Sequence, residues 1–295
     1  MYEPTGELNA QSAVRRLVLG DVTFTYVVDG AMAFAPSAFI PTSPAHFWRE
    51  HPEMLDSHGH LAMSAGGLLV ERRGHRTLID AGLGDMQVAT ETLRFNSGAF
   101  LEVLATLGIR PETIDVFALT HLHADHIGWA MHASEEELGT PVFPSARYVV
   151  AGNEWQSYDD SDTSHLESLR AQCHSIADGD EIAEGIHAIV TPGHTSGHTT
   201  YAITTTVGRL LAFGDAFHTP AQMAYPSWTW AADSQASLVP GARTRLLAEL
   251  AQPNTYGFGG HFGDQVFGHI GPNTSDAPTW HPVATEVIAG PPKSL

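Results

Sequence analysis

A chain of 295 residues with 33 acidic and 14 basic side chains has a formal net charge of −19. That balance excludes the clustered Lys and Arg that nucleic acid requires, and equally a docking face for an anionic membrane. A single cysteine, Cys173, allows no intrachain disulfide and leaves any metal to be held without thiolates.

The length suits one large domain, read here as residues 1–295, with the Pro- and Ala-rich stretch 1–60 as an N-terminal extension over the active-site side or a dimer interface. That stretch carries Met32, Phe34, Phe39, Phe47 and Trp48 in no regular pattern. No segment reads as a signal peptide or a run of about 18 apolar residues, so a soluble cytoplasmic protein is expected. Leu68–Val70 and Arg76–Ile79 read as strands joined by a turn at Arg73-Gly74, followed by the loop Asp80-Ala-Gly-Leu-Gly. Phe100–Leu107 has helical spacing with Gly108 as its stop, and Val116–Leu119 is a short apolar run typical of a buried strand. Ala146–Val150, Ile186–Val190, Thr199–Thr205, Arg209–Phe213 and Thr255–Phe258 read as further strands, with Asn153 as a cap for a short helix from Glu154. Gln235–Leu250 reads as an amphipathic helix whose apolar face includes Leu238, Leu246, Leu247 and Leu250. Strands followed by helices in two successive halves predict sheets packed on each other with helices outside.

The chemistry concentrates after these strands. The chain contains 18 histidines, and histidine is the commonest metal ligand. Thr120-His121-Leu122-His123-Ala124-Asp125-His126 places four ligand types within six residues at a strand end. His121 and His123, two apart, face the same way in extended backbone and can share one metal, while Asp125 and His126 reach a second. Three further strands run into Gly193-His194, Gly214-Asp215 and Gly259-Gly260-His261, each glycine allowing a tight bend beside a metal. Taken singly, each of these three pairs reads as an ordinary turn; together with the first cluster they form a ligand set.

This ordered set, His-x-His-x-Asp-His, then Gly-His, Gly-Asp and a last His, resembles the metallo-β-lactamase fold superfamily over roughly residues 60–270. The resemblance implies an α/β four-layer αββα sandwich. It implies one divalent ion on His121, His123 and His194, another on Asp125, His126 and His261, and Asp215 bridging both. Zinc fits these N and O ligands, with Fe, Mn or Co as alternatives. Asp80 matches an aspartate that orients ligating histidines in the family, and is otherwise a turn residue. Hydrolysis by a metal-bridging hydroxide follows, with Asp125 and Asp215 at the catalytic centre.

Within the superfamily, Asp215 argues against the antibiotic-hydrolysing lactamases, which lack that bridge, and Cys173 lies in none of the motifs. The acidic charge argues against the nucleases, and the scarcity of basic residues near the C-terminus against glyoxalase II. Flavodiiron proteins share the fold but need a flavin domain for which 295 residues leave no room. The stretch Gly214–Gln222 and the pair His261-Phe262 with Gly268-His269 resemble methyl parathion hydrolase-like enzymes. Quorum-quenching lactonases are similar but carry a tyrosine where this chain has His218. His218 is therefore a candidate to polarise a carbonyl or protonate a leaving group, with a structural hydrogen-bonding role as the alternative. Phe217, Phe262 and Trp129 are candidate substrate walls, with plain core packing as the alternative. The expected activity is cleavage of a small-molecule ester or lactone. A phosphotriester substrate and a non-hydrolytic metal-binding role are the alternatives. The remaining histidines, His198 among them, have no motif and read as ordinary polar residues.

Overall fold

The structure is a computed structural model that describes residues 5–133, 138–156, 164–272 and 277–295. Two sheets face each other across an apolar core. The chain enters the first sheet through β1 (Val14–Leu19) and β2 (Val22–Phe34), then passes through two short helices, α1 (Pro36–Phe39) and α2 (Ala45–Glu50). β3 (Leu61–Arg72), β4 (His75–Ile79), β5 (Gln87–Ala89) and β6 (Leu93–Asn96) follow, then α3 (Phe100–Thr106) and β7 (Val116–Ala118). After α4 (Ala124–Ile127) come β8 (Arg147–Ala151), α5 (Ser164–Gln172) and β9 (His174–Ile176).

The second sheet is built from β10 (Glu181–Ala183), β11 (Ile186–Val190), β12 (Thr199–Thr204) and β13 (Arg209–Ala212), then α6 (Ala221–Ala224) and α7 (Val239–Leu250). It is completed by β14 (Thr255–Phe258), β15 (Phe267–Pro272) and β16 (Pro278–Pro282), and β17 (Glu286–Ala289) returns to the first sheet beside β1. Phe24, Leu68, Leu78, Tyr201, Ile203 and Leu210 fill the space between the sheets. α3 packs on β2 of the first sheet and α7 on β14 and β15 of the second, so the mixed α/β architecture has four layers.

Two sequence readings change here. Residues 14–34, expected within an N-terminal extension, are two strands of the first sheet; β2 is buried along almost its whole length between β1 and β3. A strand buried on both faces has no polar alternation to mark it, and Asp29-Gly30 interrupts its apolar run. Leu238, expected on the buried face of a helix from Gln235, is 47% exposed and lies just before α7 begins at Val239.

What positions the site is strand direction. β4 and β7 are parallel, as are β13 and β14, each pair with a helix in the connection. The C-terminal ends of β4, β7, β11, β13 and β14 run into Asp80, His121, His194, Asp215 and His261 respectively.

Candidate metal centre

At those strand ends the backbone bends sharply. Gly193 has φ +151° and Gly214 φ +51°, and a Cβ on Gly214 would lie 2.9 Å from His198 Nε2 and 3.0 Å from Thr120 Cβ. Only glycine allows that approach without strain. Asp80 also adopts a left-handed conformation, φ +60°, which aspartate tolerates better than most residues.

The structure brings all seven expected ligands together. Ligand atoms of His121, His123 and His194 form one group, and those of Asp125, His126, Asp215 and His261 a second, all within 4.8 Å of one another in each. Asp215 faces both: Oδ1 is 3.3 Å from His126 Nε2 and 3.2 Å from His261 Nε2, while Oδ2 is 3.4 Å from His194 Nε2 and 3.8 Å from His121 Nε2. Asp125 Oδ2 is 3.6 Å from both His126 Nε2 and His261 Nε2. A third group joins His218 to His194 and Asp215.

The far side of each ring is held in place. His126 Nδ1 is 2.8 Å from Asp80 Oδ2, while Asp80 also accepts from the Thr120 amide at 2.8 Å and the Thr120 hydroxyl at 2.7 Å. His261 Nδ1 donates to the Ser64 carbonyl at 3.0 Å, and His194 Nδ1 lies 2.8 Å from Asp233 Oδ1. Such contacts fix the Nδ1–H tautomer and leave Nε2 free for a cation. His123 is turned the other way, its Nδ1 lying 2.8 Å from His194 Nε2.

These residues fit divalent ions. His121 Nε2, His126 Nε2 and Asp215 Oδ1 are buried with no hydrogen-bond partner, a costly state unless something binds there. Electrostatics agree. Burial opposes charging of His126, but Asp215, Asp125 and Asp80 outweigh it and hold its pKa well above the usual histidine value. Burial likewise opposes charge on Asp215, yet His126, His261 and His218 hold its carboxyl well below the usual range. Protons favoured on His126 and His261 thus occupy the place that cations would take.

His218 lies against this centre, its Nε2 3.2 Å from Asp215 Oδ2 and its ring stacked on Trp230 at 4.2 Å and 8°. Burial pushes its pKa down to about 4, with Asp215 offsetting part of the shift, so its imidazole is neutral at pH 7. A neutral ring can donate an N–H hydrogen bond but is a poor proton source.

Above the centre opens a cavity of about 350 Å³. Met32, Phe34, Phe39, Met63, Leu83, Met86, Phe95 and Trp230 form its apolar walls, and among the described residues its lining includes no lysine or arginine. The candidate walls Phe217, Phe262 and Trp129 are absent from this lining. Phe217 and Phe262 are buried with Phe213 and Leu246 behind the second sheet. Trp129 packs against the main core and donates its indole N–H to Asp29 at 2.9 Å. Closeness in sequence to a ligand does not carry these rings into the cavity, because each is buried in a core cluster instead.

Sequence reasoning missed several supports. His198, read as an ordinary polar residue, is fully buried; its Nε2 accepts the Asp215 amide at 3.0 Å and its Nδ1 meets the Thr191 hydroxyl at 2.8 Å. The position four residues beyond His194 was its only signal. Glu154 is buried and accepts from the Leu122 amide, the Thr195 hydroxyl and the Gly197 amide, tying both histidine loops together. Asp29 accepts the amides of Leu83, Gly84, Gly98 and Phe100 and so fixes the loop after Asp80.

The family model described as the metallo-beta-lactamase superfamily matches residues 67–261. This chain belongs to that superfamily. Among curated relatives, an N-acyl homoserine lactonase of Bacillus sp. is 28% identical over 159 residues, covering 46% of this chain and 57% of the relative. That of Bacillus thuringiensis is 27% identical over the same span. The chain thus spans little more than half the length of these relatives. Among solved structures, AidC, a dizinc quorum-quenching lactonase in complex with a product, superposes with a TM-score of 0.79 at 20% identity, covering 94% of this chain and 99% of that one. The hydrolase AbOPH of the beta lactamase superfamily gives 0.77 at 23% identity, covering 93% and 99%. At these identities the superpositions establish the fold.

Proposed function

We propose that this protein is a dinuclear metal hydrolase that cleaves carboxylic esters or lactones bearing an apolar acyl part. The observation that carries this reading is the grouping of seven N and O side chains, five of them at the floor of an apolar cavity whose described lining residues include no lysine or arginine. A cavity of that kind suits a neutral substrate and disfavours a free carboxylate or phosphate monoester. The relatives named as lactonases point the same way.

His121, His123 and His194 would hold one ion, Asp125, His126 and His261 the other, and Asp215 would contribute an oxygen to each. Two divalent ions, zinc being the best fit, supply a nucleophile drawn from water at neutral pH and polarise the scissile carbonyl. The protein's own part is orientation. Asp80 and the Ser64 carbonyl hold the His126 and His261 rings, and the cavity walls exclude water from the acyl group. His218, neutral and stacked on Trp230, would donate an N–H to the substrate oxygen rather than deliver a proton.

A lactone series of increasing acyl length, assayed beside a neutral aryl phosphotriester on one zinc-loaded preparation, tests this. Lactone kcat/KM rising with acyl length supports it. A phosphotriester rate above every lactone replaces it with the triesterase reading, which the same neutral cavity accommodates. Two bound ions with no turnover of either series makes the chain a metal-binding protein without this chemistry.

A further inference from the structure

The segment between α6 and α7 carries Asp233, whose side chain is only 1% exposed. Its two oxygens serve two different parts of the molecule. Oδ1 is 2.8 Å from His194 Nδ1, and Oδ2 accepts the Trp230 amide at 2.6 Å. The next two residues fasten the same segment to the ligand loop: the Ser234 amide donates to the His194 carbonyl at 2.8 Å and the Gln235 amide to the Gly193 carbonyl at 2.9 Å.

Trp230 is a wall of the cavity. Its ring stacks on His218 and meets Phe34 at 5.2 Å and Phe39 at 5.3 Å between centroids. The Ala231 amide donates to the Phe39 carbonyl at 2.8 Å, so the segment also holds α1 in place. A chain of direct contacts therefore runs from a histidine of the metal group, through one carboxylate, to the aromatic wall. Only a side chain with two acceptor oxygens can close it, since an amide of the same shape has one.

We propose that Asp233 is a positioning residue that joins the ion held by His121, His123 and His194 to the aromatic wall of the cavity, so that metal affinity and the fit of an apolar group are set through one carboxylate. This rests on the metal and acyl-cavity reading above, and its test uses no turnover, so failure of the hydrolase assay and failure of this proposal are separate results.

Two quantities are measured on the full-length protein: zinc affinity, by competition with a chromophoric chelator, and binding of the neutral apolar probe N-phenyl-1-naphthylamine, by its fluorescence. Asp233→Ala is expected to weaken one zinc by about 10–100-fold and the probe by about tenfold, the equivalent of 1.4 kcal/mol. Trp230→Ala is expected to weaken the probe similarly while both zinc affinities stay at the wild-type value, because the carboxylate and the backbone amide remain. A loss confined to zinc in Asp233→Ala would mean that the carboxylate orients His194 alone, and the coupling would be overturned. Wild-type zinc binding in that variant would overturn it as well. Should Asp233→Ala lack a cooperative melt, Asp233→Asn carries the test. A fall in both quantities supports the coupling, and a fall confined to one of them, or wild-type values for both, overturns it.

Discussion

The floor and the walls of the cavity are built on opposite principles. The floor is polar, drawn from four strand ends, and every histidine ligand ring in it is held by a hydrogen bond behind it or a second ring beside it. The walls are apolar and come from β2, β3, α1, the Leu83–Met86 loop, β6 and the segment before α7, held mainly by ring-on-ring packing. A directional floor tolerates almost no change in residue type, whereas a packed wall tolerates change at a cost that scales with the area lost.

The largest expected effect tests the floor. Asp215→Ala removes the carboxylate that faces both histidine groups. It should lower metal content, read by elemental analysis, and reduce kcat/KM by on the order of 10³-fold, since metal-borne charge stabilisation is worth several kcal/mol. Retention of both ions would break the bridging assignment. Asp80→Asn comes next. It leaves the His126 ring without its charged partner and should cost about 10–100-fold in zinc affinity, with little change in probe binding if floor and walls respond separately.

The walls respond differently. Phe34→Ala should raise KM for long-acyl substrates by about tenfold, the loss of some 1–3 kcal/mol of apolar contact, while leaving kcat and zinc content near wild type. A matching fall in kcat would show that the wall also positions the reacting atoms.

The pH dependence sharpens the same contrast. The carboxylates raise the pKa values of His126 and His261 against the opposing effect of burial. Zinc needs these rings deprotonated, so apparent affinity should be full above the raised values and weaken as pH falls through them. Probe binding to the walls, whose Met, Phe, Leu and Trp side chains do not titrate, should stay constant over the same range. Chelator competition and probe titration at successive pH values check both halves.

A separate contrast concerns the helix behind the floor. Leu246→Ala, in the buried cluster with Phe213 and Phe217, should destabilise by about 2–5 kcal/mol, whereas Leu238→Ala at a half-exposed position should stay within about 0.5 kcal/mol. Thermal melts of the two variants side by side would reveal a misplaced helix start.

The candidate ligands that the fold brings together were legible along the chain, because ligand-type side chains follow strand ends at short, regular spacings. His121 to His126, His194, Asp215 and His261 could be read without coordinates, as could most of the strands that precede them. Asp80 was legible at a strand end, two residues before Gly82, by its likeness to the family's orienting aspartate. Tertiary structure alone decided the rest. His198, Glu154 and Asp233 act on ligands that are distant in sequence or carry no motif, and a single buried polar residue looks like any other until its partners are known. The walls followed the same logic. Phe217 and Phe262, beside ligands in sequence, point into the core, while Phe34, Phe95 and Trp230 converge from three distant segments. Hydrophobic contact is non-directional and leaves no spacing rule along the chain, so only the folded chain shows which apolar residues meet.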